Sequence, residues 1–373
     1  MKKDRFSKIF ISFFILVFML FVLSSCFLFF MPKSEPQSKQ QTNNNQEQNK
    51  QEAQNEIKQI NFDEYKSNFK PIDISKFSQI DNYAKDVPKK FEKDIENLTK
   101  YLIQPAKSDI EKARAIWIWI TNNITYDVDG YFSGSITTYD AQTAFEKRIG
   151  VCSGYASLFK KMADLANFKC EVITGYAKGY SYNPSINQVP ESNHAWISIN
   201  VDGLWYLCDP TWGSGYVNYS RKFVRNYEEF YFCTNPSHLI YTHFPSDSKW
   251  QLLEKPVDAR TFLNLIKVWP LFFKLNLKPI SHPNFKIELN GKNLTISFLT
   301  SIEDVRLLAA VYSNDTGKEA TKPTINEIKE GNLNRWNINI NFPSKGQYLI
   351  YIFGGTKKDT TFSSAAMYFV DVK

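Results

Sequence analysis

The chain has 373 residues, with 45 Lys and Arg against 38 Asp and Glu and a formal net charge of +7. About +3 of that charge lies before Cys26, from Lys2, Lys3, Arg5 and Lys8 against Asp4, so the remainder sits near +4. So small an excess gives no case for a nucleic-acid partner, and 30 Phe with 20 Tyr fit a core and a substrate cleft better than base-stacking platforms.

Behind the basic start, residues 9–31 form a nearly continuous apolar run, an export or anchoring signal that takes no part in the fold. Within it, Leu23-Ser24-Ser25-Cys26 resembles a bacterial lipoprotein box, in which Cys26 is lipidated and becomes the mature N-terminus. The alternative is a single spanning helix, because 23 residues can cross a bilayer and Phe27 to Met31 continue the run past the cysteine. Either way the chain is expected in a bacterial cell envelope, lipid-anchored or single-pass, with its domains outside the cytoplasmic membrane. The lipid membrane is then its first partner.

Residues 32–60 follow as a tether, with 13 Asn or Gln between Gln37 and Gln59. Such a segment buries too little apolar surface to offset the entropy of ordering it. The rest divides by composition into 61–275, which mixes helical and strand patterns, and 276–373, which has short alternating runs separated by turns.

A helix is expected from Ser108, whose side chain can cap its start while Glu111 closes a capping box. Ala113, Ile116, Trp117 and Ile120 recur on one face as a buried stripe, and Asn122-Asn123 ends it. Trp119 lies off that stripe and could face a cleft, although packing is the commoner role for such a residue. A second helix should begin at Cys152 and bury Leu158, Phe159, Met162, Leu165 and Ala166, while Gly150, Ser153 and Gly154 leave its start uncrowded.

Strands are expected over 170–177, 193–200 and 203–208, the last two joined by the turn Val201-Asp202-Gly203. That hairpin can bring His194 and Asp209 together across a sheet although 15 positions separate them. Helices followed by an antiparallel sheet make an α+β unit. Beyond it, Phe285, Ile287 and Leu289 alternate before Asn290-Gly291, and Leu294, Ile296 and Phe298 alternate after, which predicts a hairpin. Further strands near 305–312, 335–341, 346–353 and 365–371 suggest an immunoglobulin-like β-sandwich.

Cys152, His194 and Asp209 stand in the order nucleophile, base and orienter. A thiolate is reactive, and a helix N-terminus beside an imidazolium lowers its pKa. His194 would hold the ion pair and later protonate a leaving amine, with Asp209 fixing the ring. The Cys152 N–H supplies one oxyanion donor. The second donor stays open between the Tyr126 hydroxyl, a Trp indole N–H such as that of Trp119 or Trp196, and a backbone amide. Cys170, Cys208 and Cys233 lack a Cys-x-x-Cys pair and read as small core residues, although export permits a disulfide between two of them. No metal and no cofactor is expected.

Several motifs carry a resemblance to a known family. Lys112-Ala113-Arg114-Ala115-Ile116, Ile124-Thr125-Tyr126-Asp127, Thr143-Ala144-Phe145 and Gly150-Val151-Cys152-Ser153-Gly154-Tyr155-Ala156 are followed by Asn193-His194-Ala195-Trp196 and Asp209-Pro210-Thr211-Trp212-Gly213. Together they resemble the transglutaminase-like superfamily, and within it the kyphoscoliosis-peptidase-like branch. The resemblance implies a papain-like α+β fold, with Cys152 as nucleophile, His194 as base and Asp209 as orienting acid. Val151 and Ser153 flank the cysteine where animal transglutaminases have Gln and Trp, which weighs against glutamine-lysine crosslinking as such.

The expected function is therefore a surface-tethered thiol enzyme that cleaves or transfers acyl groups of peptide or protein amides, with a cell-envelope protein as one substrate class. Hydrolysis is the favoured outcome because water is always available, whereas a dry channel lined by Trp196, Trp205, Trp212 and nearby tyrosines would favour amine acceptors, although core packing is the commoner role for each of these aromatics. The competing expectation is a non-catalytic envelope adhesion or scaffold protein that keeps the fold and binds through its sandwich.

Overall fold

The computed structural model describes residues 65–218 and 220–373, which form two compact units, Tyr65–Lys267 and Val268–Lys373. Cys26, the apolar run and the tether lie outside the described residues. Among the described residues no helix is long and apolar enough to cross a membrane.

The first unit is α+β. Helices α1 (Ser78–Lys85), α2 (Ile95–Leu102) and α3 (Asp109–Asn123) lead into the short strand β1 (Thr125–Tyr126). Helices α4 (Val128–Ser133) and α5 (Ala141–Lys147), strand β2 (Ile149–Gly150) and helix α6 (Cys152–Leu165) follow. A sheet built from β3 (Cys170–Ala177), β4 (His194–Val201), β5 (Leu204–Cys208) and β6 (His243–Pro245) runs in the order β5-β4-β3-β6, with helix α7 (Pro210–Ser214) directly after β5.

Helix α3 begins after Ser108 and ends at Asn123 as the sequence predicts, but its cap differs. Ser108 makes no side-chain capping bond, and Glu111 instead accepts the Lys107 N–H. The predicted stripe is also only half of what the helix buries. Every residue from Ala113 to Thr121 is buried, because α3 is wrapped on all sides, with Arg114 held inside by Asp81 and Glu229. Full burial of each large apolar side chain there contributes about 1.5–3 kcal/mol.

Helix α6 buries Leu158, Phe159 and Met162, and Ala166 is buried just past its end, whereas Leu165 is 38% exposed, one position too far round the last turn. Its N-terminal approach depends on one glycine. A Cβ at Gly154 would lie 2.3 Å from the Thr138 carbonyl oxygen, so the loop before α5 can reach the helix only over a bare Cα. The same carbonyl accepts the Val151 N–H at 3.2 Å and thereby fixes the residue before the nucleophile.

Strand β4 is interior to the sheet and packs against helix α6, and Ala195 to Ile199 are all buried. The β4–β5 register pairs Ser198 with Leu207 and Ile197 with Cys208. His194, Trp196 and Ser198 therefore share a face with Leu207 and Asp209.

The second unit is a β-sandwich. One sheet holds β7 (Lys278–Pro279), β9 (Asn293–Thr300), β12 (Thr324–Glu330) and β13 (Leu333–Asn341) in the order β7-β9-β13-β12. The other runs β8-β15-β14-β10-β11, with β8 at Lys286–Leu289, β10 at Val305–Ser313, β11 at Glu319–Thr321, β14 at Gly346–Thr356 and β15 at Ser363–Val372. The predicted hairpin at Asn290-Gly291 does not form. Strand β8 pairs in parallel with β15, while β9 pairs with β13 in the opposite sheet, so Asn290-Gly291 carries the chain between sheets. Alternation on both sides of a turn is common to hairpins and to such crossings, since in either case each strand buries one face.

Candidate active site

Three strand ends meet at one end of the sheet. His194 is the first residue of β4, Asp209 directly follows β5, and His243 is the first residue of β6. Strand β3 lies between the two histidine strands and pairs Gly175 with His194 and Ala177 with His243. Cys152 is the first residue of α6 and half-buried, and interaction with His194 lowers its thiol from the ordinary value.

Asp209 has no solvent exposure, and all its acceptor capacity is used. Its Oδ1 caps α7 by accepting the N–H groups of Thr211 at 2.9 Å and Trp212 at 3.1 Å. Its Oδ2 accepts from His194 Nε2 at 2.7 Å and from His243 Nε2 at 3.0 Å. Burial works against the charged carboxyl, but His194 and the hydrogen bonds of both histidines hold its pKa well below the usual carboxylate range.

The same pairing sets the imidazole. With Nε2 given to Asp209, Nδ1 is the ring nitrogen left to exchange a proton with a thiol. Burial disfavours the imidazolium, yet the Asp209 charge and the bonds to Asp209 and Cys152 raise its pKa to about 10. Burial likewise pushes the Cys152 thiol up, and the His194 hydrogen bond and charge, with the Ala195 backbone, bring it below its ordinary value. The arrangement thus favours thiolate and imidazolium together, the state in which a cysteine attacks a carbonyl.

The other expected residues separate. Tyr126 pairs with Gly150 in the β1–β2 ladder, two positions before Cys152. Burial and the neighbouring Cys152 raise its phenol pKa, so the hydroxyl keeps a proton to donate. Trp119 is not a cleft residue: it is 1% exposed and gives its N–H to Glu92 at 2.9 Å, leaving no donor for an oxyanion. Trp196 is buried behind the histidine, its ring centroid 6.0 Å from that of His194 and 5.1 Å from that of His243. Trp212 lies on the histidines too, 5.5 Å from His194 and 4.5 Å from His243, whereas Trp205 packs against Trp250 at 5.1 Å.

Sequence reasoning missed His243. It sits in Leu239-Ile240-Tyr241-Thr242-His243-Phe244-Pro245, which reads as ordinary core, and 34 positions separate it from Asp209. The only signal was scarcity, since the chain has four histidines. His194, Asp209 and His243 place three potential ligand atoms within 4.8 Å of one another. A cation there would have to displace both N–H groups that Oδ2 already accepts, so the protonated hydrogen-bond network is the better account of these residues. Cys208 and Cys233 lie with sulfurs 3.8 Å apart as free thiols, and Cys170 is buried.

Fold and site together define a transglutaminase-like core carrying a Cys-His-Asp constellation, followed by an immunoglobulin-like β-rich domain. Residues 96–210 match the transglutaminase-like superfamily, and residues 259–373 match the KY-like, immunoglobulin-like domain. Among proteins of known name, the chain is 38% identical to the human (Homo sapiens) kyphoscoliosis peptidase over 194 residues, 52% of this chain and 29% of that protein. It is 36% identical to the Mus musculus kyphoscoliosis peptidase over 225 residues, 60% and 34% of the two chains. It is also 30% identical to hillarin of Drosophila melanogaster over 224 residues, 55% and 26%. The match thus spans only about a third of these relatives or less.

Proposed function

We propose that this chain is a thiol enzyme of the cell envelope that cleaves or transfers acyl groups of peptide or protein amides. The observation that carries the reading is the His194–Asp209 bond at 2.7 Å on a fully buried carboxylate, with Cys152 at the start of α6 electrostatically coupled to that histidine. In this reading the Cys152 thiolate attacks the amide carbonyl and forms an acyl-thioester. His194 gives its proton to the departing amine. Water or a second amine then releases the acyl group. The name of the kyphoscoliosis peptidases supports hydrolysis as the fate of the thioester. The apolar run and polar tether before residue 61 support tethering to the envelope membrane through Cys26 or a spanning helix.

Trapping the acyl-enzyme from candidate envelope proteins and locating the adduct by peptide mass tests this. An adduct on Cys152 that is lost in Cys152→Ala, with the variant's melting temperature unchanged, is the expected result. A native protein whose Cys152 reacts with neither acyl donors nor small electrophiles would instead support a scaffold that keeps only the fold.

A further inference from the structure

We propose that His243 is a positioning residue of the thiol site, a second imidazole that holds the orienting carboxylate in place for His194. The inference rests on the thiol-enzyme reading and adds a fourth member to it. Asp209 Oδ2 is approached from two sides, by His194 Nε2 at 2.7 Å and by His243 Nε2 at 3.0 Å, and the two rings lie with centroids 5.4 Å apart. With Oδ1 fixed by two backbone N–H groups, the carboxylate has no rotational freedom left. Without His243, one side of Oδ2 loses its donor. The carboxylate could then turn about its helix cap and lengthen the bond that orients the catalytic ring.

His243 is itself held for this task. Its Nδ1 meets the Thr242 hydroxyl at 2.9 Å, and because the Asp209 carboxylate can only accept, Nε2 carries the proton between them. It is 2% exposed and walled by the rings of Trp196 at 5.1 Å, Trp212 at 4.5 Å and Tyr231 at 6.3 Å. The ionisable groups that face it are therefore Asp209, His194 and Tyr231. Burial lowers its pKa, and a neutral ring next to the His194 imidazolium avoids a like-charge pair. Strand pairing explains why the residue is available. The β3–β6 register pairs Ala177 with His243 two positions from the Gly175–His194 pair, so both histidines stand at the same end of the sheet.

The test uses iodoacetamide as probe and the full chain, with alkylation of Cys152 quantified by peptide mass from pH 5 to 10. His243→Leu removes the donor, and His243→Gln replaces it with an amide that reaches the Nε2 position. The expected result is alkylation at neutral pH slowed by about tenfold to a hundredfold in the Leu variant, the scale of a mispositioned catalytic group. Its low-pH limb should move up toward the ordinary thiol range, and the Gln variant should recover most of the wild-type rate and limb. Should the Leu variant fail to fold, His243→Asn, polar but too short to reach Asp209, takes its place. Folded variants whose Cys152 profiles superimpose on wild type overturn the proposal, as does equal slowing in Gln and Leu with an unmoved limb, the mark of a structural role. A wild-type profile centred on an ordinary thiol would remove the thiol-enzyme reading itself, and this inference with it.

Discussion

The indole of Trp117 lies so close to the α-carbon of Gly213 that a Cβ at Gly213 would sit 2.4 Å from Trp117 Cζ2. Helix α3 thus presses on the turn whose first carboxylate is Asp209, and the Gly213 N–H closes that turn on the Asp209 carbonyl at 2.9 Å. Gly213→Ala should destabilise the first unit by about 1–3 kcal/mol through overpacking, seen as a lower melting temperature. It should also slow Cys152 alkylation, because the turn can yield only by moving Asp209. Wild-type reactivity in a destabilised Ala variant would show that the strain is absorbed by Trp117 instead.

Asp209→Asn keeps the volume but halves the acceptor set. Four N–H donors converge on two oxygens, and an amide would turn its NH2 group toward one pair of them. In Ser-His-Asp enzymes this exchange costs about four orders of magnitude in kcat. A smaller loss, on the order of a hundredfold or more in acylation rate, is expected here, since a thiolate already paired with imidazolium depends less on the third residue. Binding of substrate in a Cys152→Ala background should change little. Unchanged acylation with weakened binding would make Asp209 a substrate-positioning group.

The ion pair sets a pH window. Cys152 loses its proton below the ordinary thiol value of 9.0, and His194 keeps its own up to about 10. Alkylation of Cys152 should therefore rise along a limb below pH 9.0 and stay on one plateau until His194 deprotonates. The linkage to stability has opposite signs for the two groups. The His194 contribution is complete below pH 6.5 and fades as pH climbs to about 10, whereas that of Cys152 is complete above 9.0 and fades as pH falls through its folded value. A single alkylation midpoint at 9.0 would show that no pair forms.

Much of this site could be read in the chain because its three members sit at element boundaries that sequence marks well. Gly150 and Gly154 flank the start of α6, and the Asp202-Gly203 turn fixes the register that places His194 and Asp209 on one face. His243 was not legible, since only the pairing of β3 with β6 carries it there and nothing local distinguishes it from core. Trp119 takes the packing role that was the commoner expectation, but the helical period shows only which side the main stripe buries, not that Glu92 and Arg148 cover the other. The Asn290-Gly291 turn misled because local turn chemistry does not say which sheet the next strand joins.

Arg114 offers a stability test away from the thiol. It is 2% exposed and bonded to Asp81 at 2.7 Å and to Glu229, which lies two residues before the Tyr231 carbonyl that accepts the Asp209 N–H. Arg114→Met should cost about 3 kcal/mol, the low end for breaking a buried pair because both carboxylates keep some solvent. Urea unfolding measures it. The triple variant that adds Asp81→Leu and Glu229→Gln should recover part of the loss, and failure to do so would point to packing rather than charge.

The parallel ladder of the sandwich joins residues 286–289 to residues 369–372, and β15 lies between β8 and β14. During synthesis, β8 is made long before the strand that receives it. Until residues 363–372 leave the ribosome, β8 and β14 each offer a bare backbone edge to whatever is nearby, including neighbouring nascent chains. The sheet can close only when its last strand arrives and separates them. A stop codon just before Ser363 would therefore not shorten the domain but leave it open, and such a product should be found with chaperones or in aggregates.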